Sequence, residues 1–186
     1  RHLRFQSDSR KSVAAGLAAP PQLDLALRDP AQTAKWAAKL GGVSLMPGHV
    51  RLPRGTAVEH LEGFRDGAWW VQDLAASLPA RLLGSGEGRR VLDLCAAPGG
   101  KTLQLCAAGL NVIAVDRSKP RLKRLEENLA RTGLSAEIIA ADAETWRPET
   151  PADLLLLDAP CSALGTLRRH PEGAWIKRPD DIARFP

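Results

Sequence analysis

The stretch VLDLCAAPGGKTLQLCAAGLNVIAVD, Val91–Asp116, decides the fold. An apolar run at Val91–Cys95 reads as a buried strand, and a turn of small residues follows it. Lys101–Ala108 reads as a helix and Asn111–Val115 as a second strand. Working downstream, Ser118 stands where it can cap a helix over Lys119–Thr132. Leu122, Leu125 and Leu129 repeat there at helical spacing, and Gly133 is the stop. Glu137–Ala141 and Leu154–Leu157 add two further strands. Strands alternating with helices at such short connections predict an α/β fold whose sheet is largely parallel and covered on both faces.

Upstream the pattern differs. Apolar and polar residues alternate from Gln22 to Arg28, the period of a half-buried strand. Asp29 and Pro30 open a helix predicted over Ala31–Leu40, closed by Gly41 and Gly42. Strand-like runs follow at Val43–Met46 and His49–Leu52. A helix over Asp73–Leu83 would turn Leu74, Leu78 and Leu82 inward, with Pro79 expected to kink or break it. Gly84, Gly86 and Gly88 punctuate the junction. The organisation expected is an extension over residues 1–21, a small α+β unit over 22–72, and the α/β domain over 73–186.

Composition narrows the function classes. At 44% hydrophobic and 25% charged, the 186 residues are those of an ordinary globular chain, with Gly and Pro scattered rather than periodic. No apolar run is long enough to span a bilayer, and the N-terminus has no signal-peptide core, so no membrane partner is expected. Cys95, Cys106 and Cys161 are odd in number and form no C-x-x-C pair, which argues against a disulfide framework or a metal site and for a reducing cytoplasmic location. The first residue is not Met and the sequence stops at Phe185 and Pro186 where a helix is expected to begin, so the chain is expected to be a fragment. The formal charge of +5 permits a polyanionic partner. One dense patch stands out, Arg168, Arg169, Lys177 and Arg178, which reads either as a solvated surface run or as a contact for RNA phosphates.

Ligands of open parallel sheets bind at the carboxyl ends of the strands. CAAPGGKT, Cys95–Thr102, lies there: small residues admit a ligand to the backbone, and the helix that follows points free N–H groups at it. Asp116, Asp142 and Asp158 follow the next three strands. An acid after the second strand is suited to the two hydroxyls of a ribose. Gly100-Lys101-Thr102 and the run Leu154–Asp158 imitate a P-loop NTPase, but Cys95 stands where that loop needs glycine and Pro98 removes an N–H from the phosphate cradle. The G-x-G-x-x-G of a dinucleotide fold is absent. A ligand with a ribose, an amino-acid tail and no phosphate fits, and S-adenosylmethionine has that form.

The runs VLDLCAAPGGKT, VIAVDRS and LLLLDAPCSALGTLRRHPE, with GAWWVQDLAAS upstream, resemble the RNA cytosine-5 methyltransferases of the bacterial ribosomal RNA Sun/Fmu (RsmB) family. The resemblance covers residues 20–186 in motif order. It implies a Rossmann-like S-adenosylmethionine-dependent methyltransferase sheet, truncated at its C-terminus and preceded by a small α+β RNA-binding subdomain, acting on RNA, in particular small-subunit 16S ribosomal RNA. Carried over by position, Cys95, Ala96, Ala97, Pro98, Gly99, Gly100 and Lys101 form the cofactor loop. Asp116 would hold the ribose, Asp142 would lie beside the adenine, and Asp158 would stand between cofactor and target base. The resemblance makes Cys161 the cysteine that assists release of a covalent RNA adduct. It places the nucleophile in a downstream Thr-Cys-Ser motif, which this sequence does not contain. A non-catalytic RNA-binding scaffold is the competing reading; intact cofactor residues speak against it.

Overall fold

The computed structural model describes residues 21–86, 88–161, 166, 169–170, 172–176 and 180. Leu23–Ala159 form one compact unit, and the described residues outside it belong to a second. The larger unit contains two sheets.

The first sheet is antiparallel, in the order β2-β1-β3, with β1 at Leu23–Leu27, β2 at His49–Leu52 and β3 at Trp69–Val71. β3 was not foreseen; it pairs Trp69 with Leu27 and Val71 with Leu25. Between β1 and β2, Asp29 accepts the Ala31 N–H (2.9 Å) to start a 3-10 turn at Pro30–Gln32, which leads into α1 at Thr33–Lys39. The strand expected at Val43–Met46 is reduced to a single bridge between Val43 and Arg51, because the chain must reverse through Gly48 before entering β2.

Asp24 is buried in β1 and joins this sheet to the next element. Its carboxylate receives two hydrogen bonds from Arg51 (2.6 and 2.8 Å) and the N–H of Leu74 (3.0 Å), the first residue of α2, Leu74–Leu82. Burial alone would raise its pKa, but the Arg51 guanidinium and these bonds prevail and hold it at about 2. The same anchoring explains two departures in α2. The helix continues through Pro79, since Asp24 fixes its first turn and Arg81 ties its last to the Pro47 carbonyl (2.9 Å). Its buried residues are Ser77 and Ala80, while Leu78 is exposed and Leu82 is 86% exposed. Small side chains face inward where α2 runs beside α3.

The second sheet is parallel, in the order β6-β5-β4-β7: Glu137–Ala140, Asn111–Asp116, Arg90–Leu94 and Leu154–Leu157. The α/β reading of the sequence holds. α3 spans Gly100–Ala107 and α4 spans Lys119–Thr132, burying Leu122, Leu125 and Leu129 and ending on left-handed Gly133. Ser118 occupies the cap position of α4 without a side-chain cap bond; its N–H instead donates to Asp116 (2.8 Å).

The two sheets share one core. Ala26 and Trp70 pack in the same cluster as Leu103, Leu122, Leu125 and Leu129. Arg131 of α4 donates to the carbonyls of Phe64 (2.6 Å) and Trp69 (3.1 Å) and lies 4.4 Å from the Phe64 ring centre. Arg28 donates to the Thr132 carbonyl (2.8 Å). Gly67 approaches the Arg131–Thr132 backbone so closely, at φ +63°, that a Cβ has no room. In the smaller unit, α5 is a single turn at Gly173–Ile176.

Candidate cofactor site

Register brings the sequence candidates to one edge of the parallel sheet. Leu94 pairs with Val115 on one side and Leu157 on the other, and Asp116 pairs with Ala140. The β4–α3 loop, Asp116, Asp142 and Asp158 therefore all leave the carboxyl edge. β5 and β6 lie on one side of β4 and β7 on the other, so the loop opens at the point where the strand order reverses. Crevices of open α/β sheets form at such points.

The loop is built by backbone geometry. Cys95 leaves the strand at φ +63°, uncommon for a non-glycine residue. The Ala96 N–H continues the ladder to the Val115 carbonyl (3.1 Å), and the Gly99 N–H turns back to the Ala96 carbonyl (2.9 Å). Ala96 and Ala97 bury their side chains in the shared core, leaving their backbone as the part a ligand could meet. Gly99 has φ +108°, and a Cβ there would strike Leu125 Cδ1; at Gly100 a Cβ would find only ordinary contacts with Gln72. Thus Gly99 is demanded by the packing of α4, and Gly100 is not. The first bond inside α3 runs from the Leu103 N–H to the Gly99 carbonyl (2.8 Å), so the N–H groups of Gly100, Lys101 and Thr102 precede the helical ladder.

Three carboxylates respond differently to this frame. Asp116 is only 4% exposed. It accepts from the Ala97 N–H (3.1 Å) as well as from Ser118, and Arg121 Nη1 stands 3.6 Å away while that guanidinium also donates to the Ala97 carbonyl. The acid after β5 is thus fastened to the loop after β4. Lys101 reaches across the edge to pair with Asp158 (2.6 Å). Asp142 is exposed and accepts the Glu144 N–H (3.0 Å) in its own turn.

Sequence reasoning missed Asp93. It sits in the middle of β4, 1% exposed, accepting a hydrogen bond from Thr102 Oγ1 (2.6 Å), while its Oδ1 has no hydrogen-bond partner. Burial pushes its pKa up to about 6, against the Thr102 bond and the charge of Lys101; Asp158 and Asp116 push the same way as burial. A lone acid inside an apolar strand was the available signal.

Among the cysteines, burial raises the Cys95 thiol and pushes Cys106 up to about 12, so neither is a thiolate at neutral pH. Cys161 is exposed and belongs to the smaller unit, as does Arg169, which is half-buried. Arg168, Lys177 and Arg178 lie outside the described residues.

A family model described as 16S rRNA methyltransferase RsmB/F matches residues 80–186. The ribosomal RNA small subunit methyltransferase B of Serratia proteamaculans is 48% identical over 141 residues, covering 73% of this chain and 33% of that protein. Its namesake from Yersinia enterocolitica is 45% identical over 144 residues, 75% of this chain and 34% of the other. The chain spans about a third of the length of the curated relatives it matches. Among solved structures, PH0851 superposes with a TM-score of 0.86 at 26% identity over 97% of this chain and 44% of that one. NSun6 from Pyrococcus horikoshii, solved with SFG, gives 0.78 at 19% identity over 97% and 74%, a likeness of fold.

Proposed function

The chain belongs to the 16S rRNA methyltransferase RsmB/F family, and on that premise we propose that it is the cofactor-binding part of an S-adenosylmethionine-dependent enzyme that methylates C5 of a cytosine in RNA, with small-subunit ribosomal RNA in the cytoplasm as its substrate. The observation that carries this reading is the joining of Asp116 to the Ala97 N–H, which couples a ribose-binding acid to a loop suited to an amino-acid tail. The residues present fit the cofactor at both of its ends. The Cys95–Lys101 loop and the first turn of α3 offer backbone N–H groups to its carboxylate. Asp116 takes the ribose hydroxyls, Asp142 lies toward the adenine, and Asp158, oriented by Lys101, stands between cofactor and base. S-adenosylmethionine supplies an electrophilic methyl group.

Cytosine C5 is too weak a nucleophile to take that methyl unaided. A cysteine thiolate adds to C6 and makes C5 electron-rich; after methyl transfer the C5 proton is removed and the thiolate is expelled. In this reading Cys161, three residues after Asp158, assists the expulsion, and the attacking thiolate comes from the family's Thr-Cys-Ser motif. The antiparallel unit and the Arg168, Arg169, Lys177 and Arg178 segment hold the RNA.

Two measurements test the reading. Calorimetric titration of this chain with S-adenosylmethionine is expected to give micromolar-scale binding, and ATP with magnesium none. Mapping of 5-methylcytosine in 16S ribosomal RNA incubated with the full-length enzyme is expected to find a single modified position. Absent cofactor binding would return the scaffold reading, and a methyl group found on another atom would overturn the C5 assignment.

A further inference from the structure

Between Arg117 and Arg124, α4 and the residues leading into it read RSKPRLKR, five cations in eight residues with no acid among them. All five, Arg117, Lys119, Arg121, Lys123 and Arg124, are exposed. The segment by itself carries a formal +5 within eight residues. A merely solvated helix face interleaves charges of both signs, because neighbours three and four residues apart then attract.

The placement opposes what a helix favours by itself. Cations are stabilised at the C-terminal end of a helix and destabilised at its N-terminal end, where the peptide dipoles already present positive charge. α4 has no acidic residue in its first turn. Arg121 is engaged with Ala97 and Asp116. Among the described residues, Arg117, Lys119, Lys123 and Arg124 form no ion pair, even with exposed Glu126 and Glu127 one turn on. Lys119 and Lys123 share a stripe one turn apart, and Arg124 lies about 100° round the helix from Lys123; all three are exposed, while Leu122, Leu125 and Leu129 are buried. Together they cover about 7.5 Å of helix axis, beginning three residues after Asp116 at the cofactor edge.

We propose that this face of α4 is a docking surface for the phosphates of the RNA substrate, leading the strand toward the cofactor edge; it rests on the reading of the substrate as RNA. Positive charge without ion-pair partners, starting at a positive helix end and continuing along the exposed helix, is the arrangement a polyanion relieves, and Lys and Arg supply most contacts to phosphate oxygens.

The test is the full chain carrying Lys119→Gln, Lys123→Gln and Arg124→Gln, substitutions that keep helix propensity and touch no buried group. Affinity for a 20-nucleotide single-stranded RNA is measured across 50–200 mM salt, with S-adenosylmethionine affinity alongside. Expected is a loss of about tenfold or more at the lowest salt and a salt slope shallower by about 2, three phosphate contacts at about 0.7 each, with cofactor affinity unchanged. Parent and variant binding RNA alike would overturn the docking surface while leaving the RNA reading intact. A loss of cofactor affinity in parallel would place the effect in the cleft and overturn it as well. A parent that binds no RNA would overturn the RNA reading and the surface with it.

Discussion

Replacing Asp93 by Asn is expected to stabilise the protein at neutral pH and to do little at pH 4. The carboxyl lies in the central strand at 1% exposure with one oxygen bonded to Thr102 and the other without a partner. Its pKa of about 6 in the folded chain compares with 3.8 for an ordinary Asp. Well below pH 3.8 the group is protonated whether the chain is folded or not, and folding loses nothing; at pH 4 the penalty is still small. Between pH 4 and 6 the unfolded chain releases the proton while the folded chain keeps it, so stability declines as pH rises. Above the folded pKa the full penalty is present, about 3 kcal/mol for a shift of roughly two units at 1.36 kcal/mol each. Asn is neutral throughout and still offers Thr102 an acceptor. Urea unfolding of parent and Asp93→Asn, without cofactor, from pH 4 to 8 at constant ionic strength should show midpoints that lie close together at pH 4 and separate as pH rises, with equal denaturant slopes. Curves that stay parallel across that range would refute the argument, because the buried carboxyl would then not be what sets the slope.

Gly99→Ala meets both a left-handed backbone and Leu125, so a loss of about 2–4 kcal/mol is expected, whereas Gly100→Ala should change stability little; a thermal midpoint about 5–15 °C lower for the first alone is the readout, and equal midpoints would contradict it. Asp116→Ala removes the acceptor for Ala97 and Ser118 together with the proposed ribose contact, and S-adenosylmethionine binding should weaken by about 1–3 kcal/mol in calorimetry; an unchanged affinity would remove Asp116 from the site. On the proposed mechanism, Cys161→Ala in the full-length enzyme should leave methylated RNA covalently attached on a denaturing gel, since attack and transfer would precede release; loss of both adduct and methylation would instead make Cys161 the attacking thiolate.

The parallel sheet was legible because each of its strands is a short apolar run closed by turn residues, and the edge acids were legible because parallel strands end together. What escaped reading depends on distant partners. β3 is three residues long and exists through its pairing with β1, more than forty residues earlier. In α2 the leucine period pointed to the wrong face, because Ser77 and Ala80 permit closer approach to α3 and so take the inward side. Asp93 was hidden inside the strand that identified the fold. The cations of α4 were spread over a helix by its apolar positions, so the looser patch after Thr166 drew attention first.

The joint between the sheets has a consequence for how this protein can be recombined. Arg131 and Arg28 cross from one sheet's surroundings to the other, and Gly67 meets backbone rather than side chain. A graft that exchanged the antiparallel sheet for a relative's while keeping the native α4 would set a foreign 63–69 loop against an unaltered helix end. Where the incoming loop carries any side chain at position 67, that seam cannot close. Viable chimaeras therefore have to transplant the loop and the last turn of α4 as a matched pair, although more than sixty positions of sequence separate them.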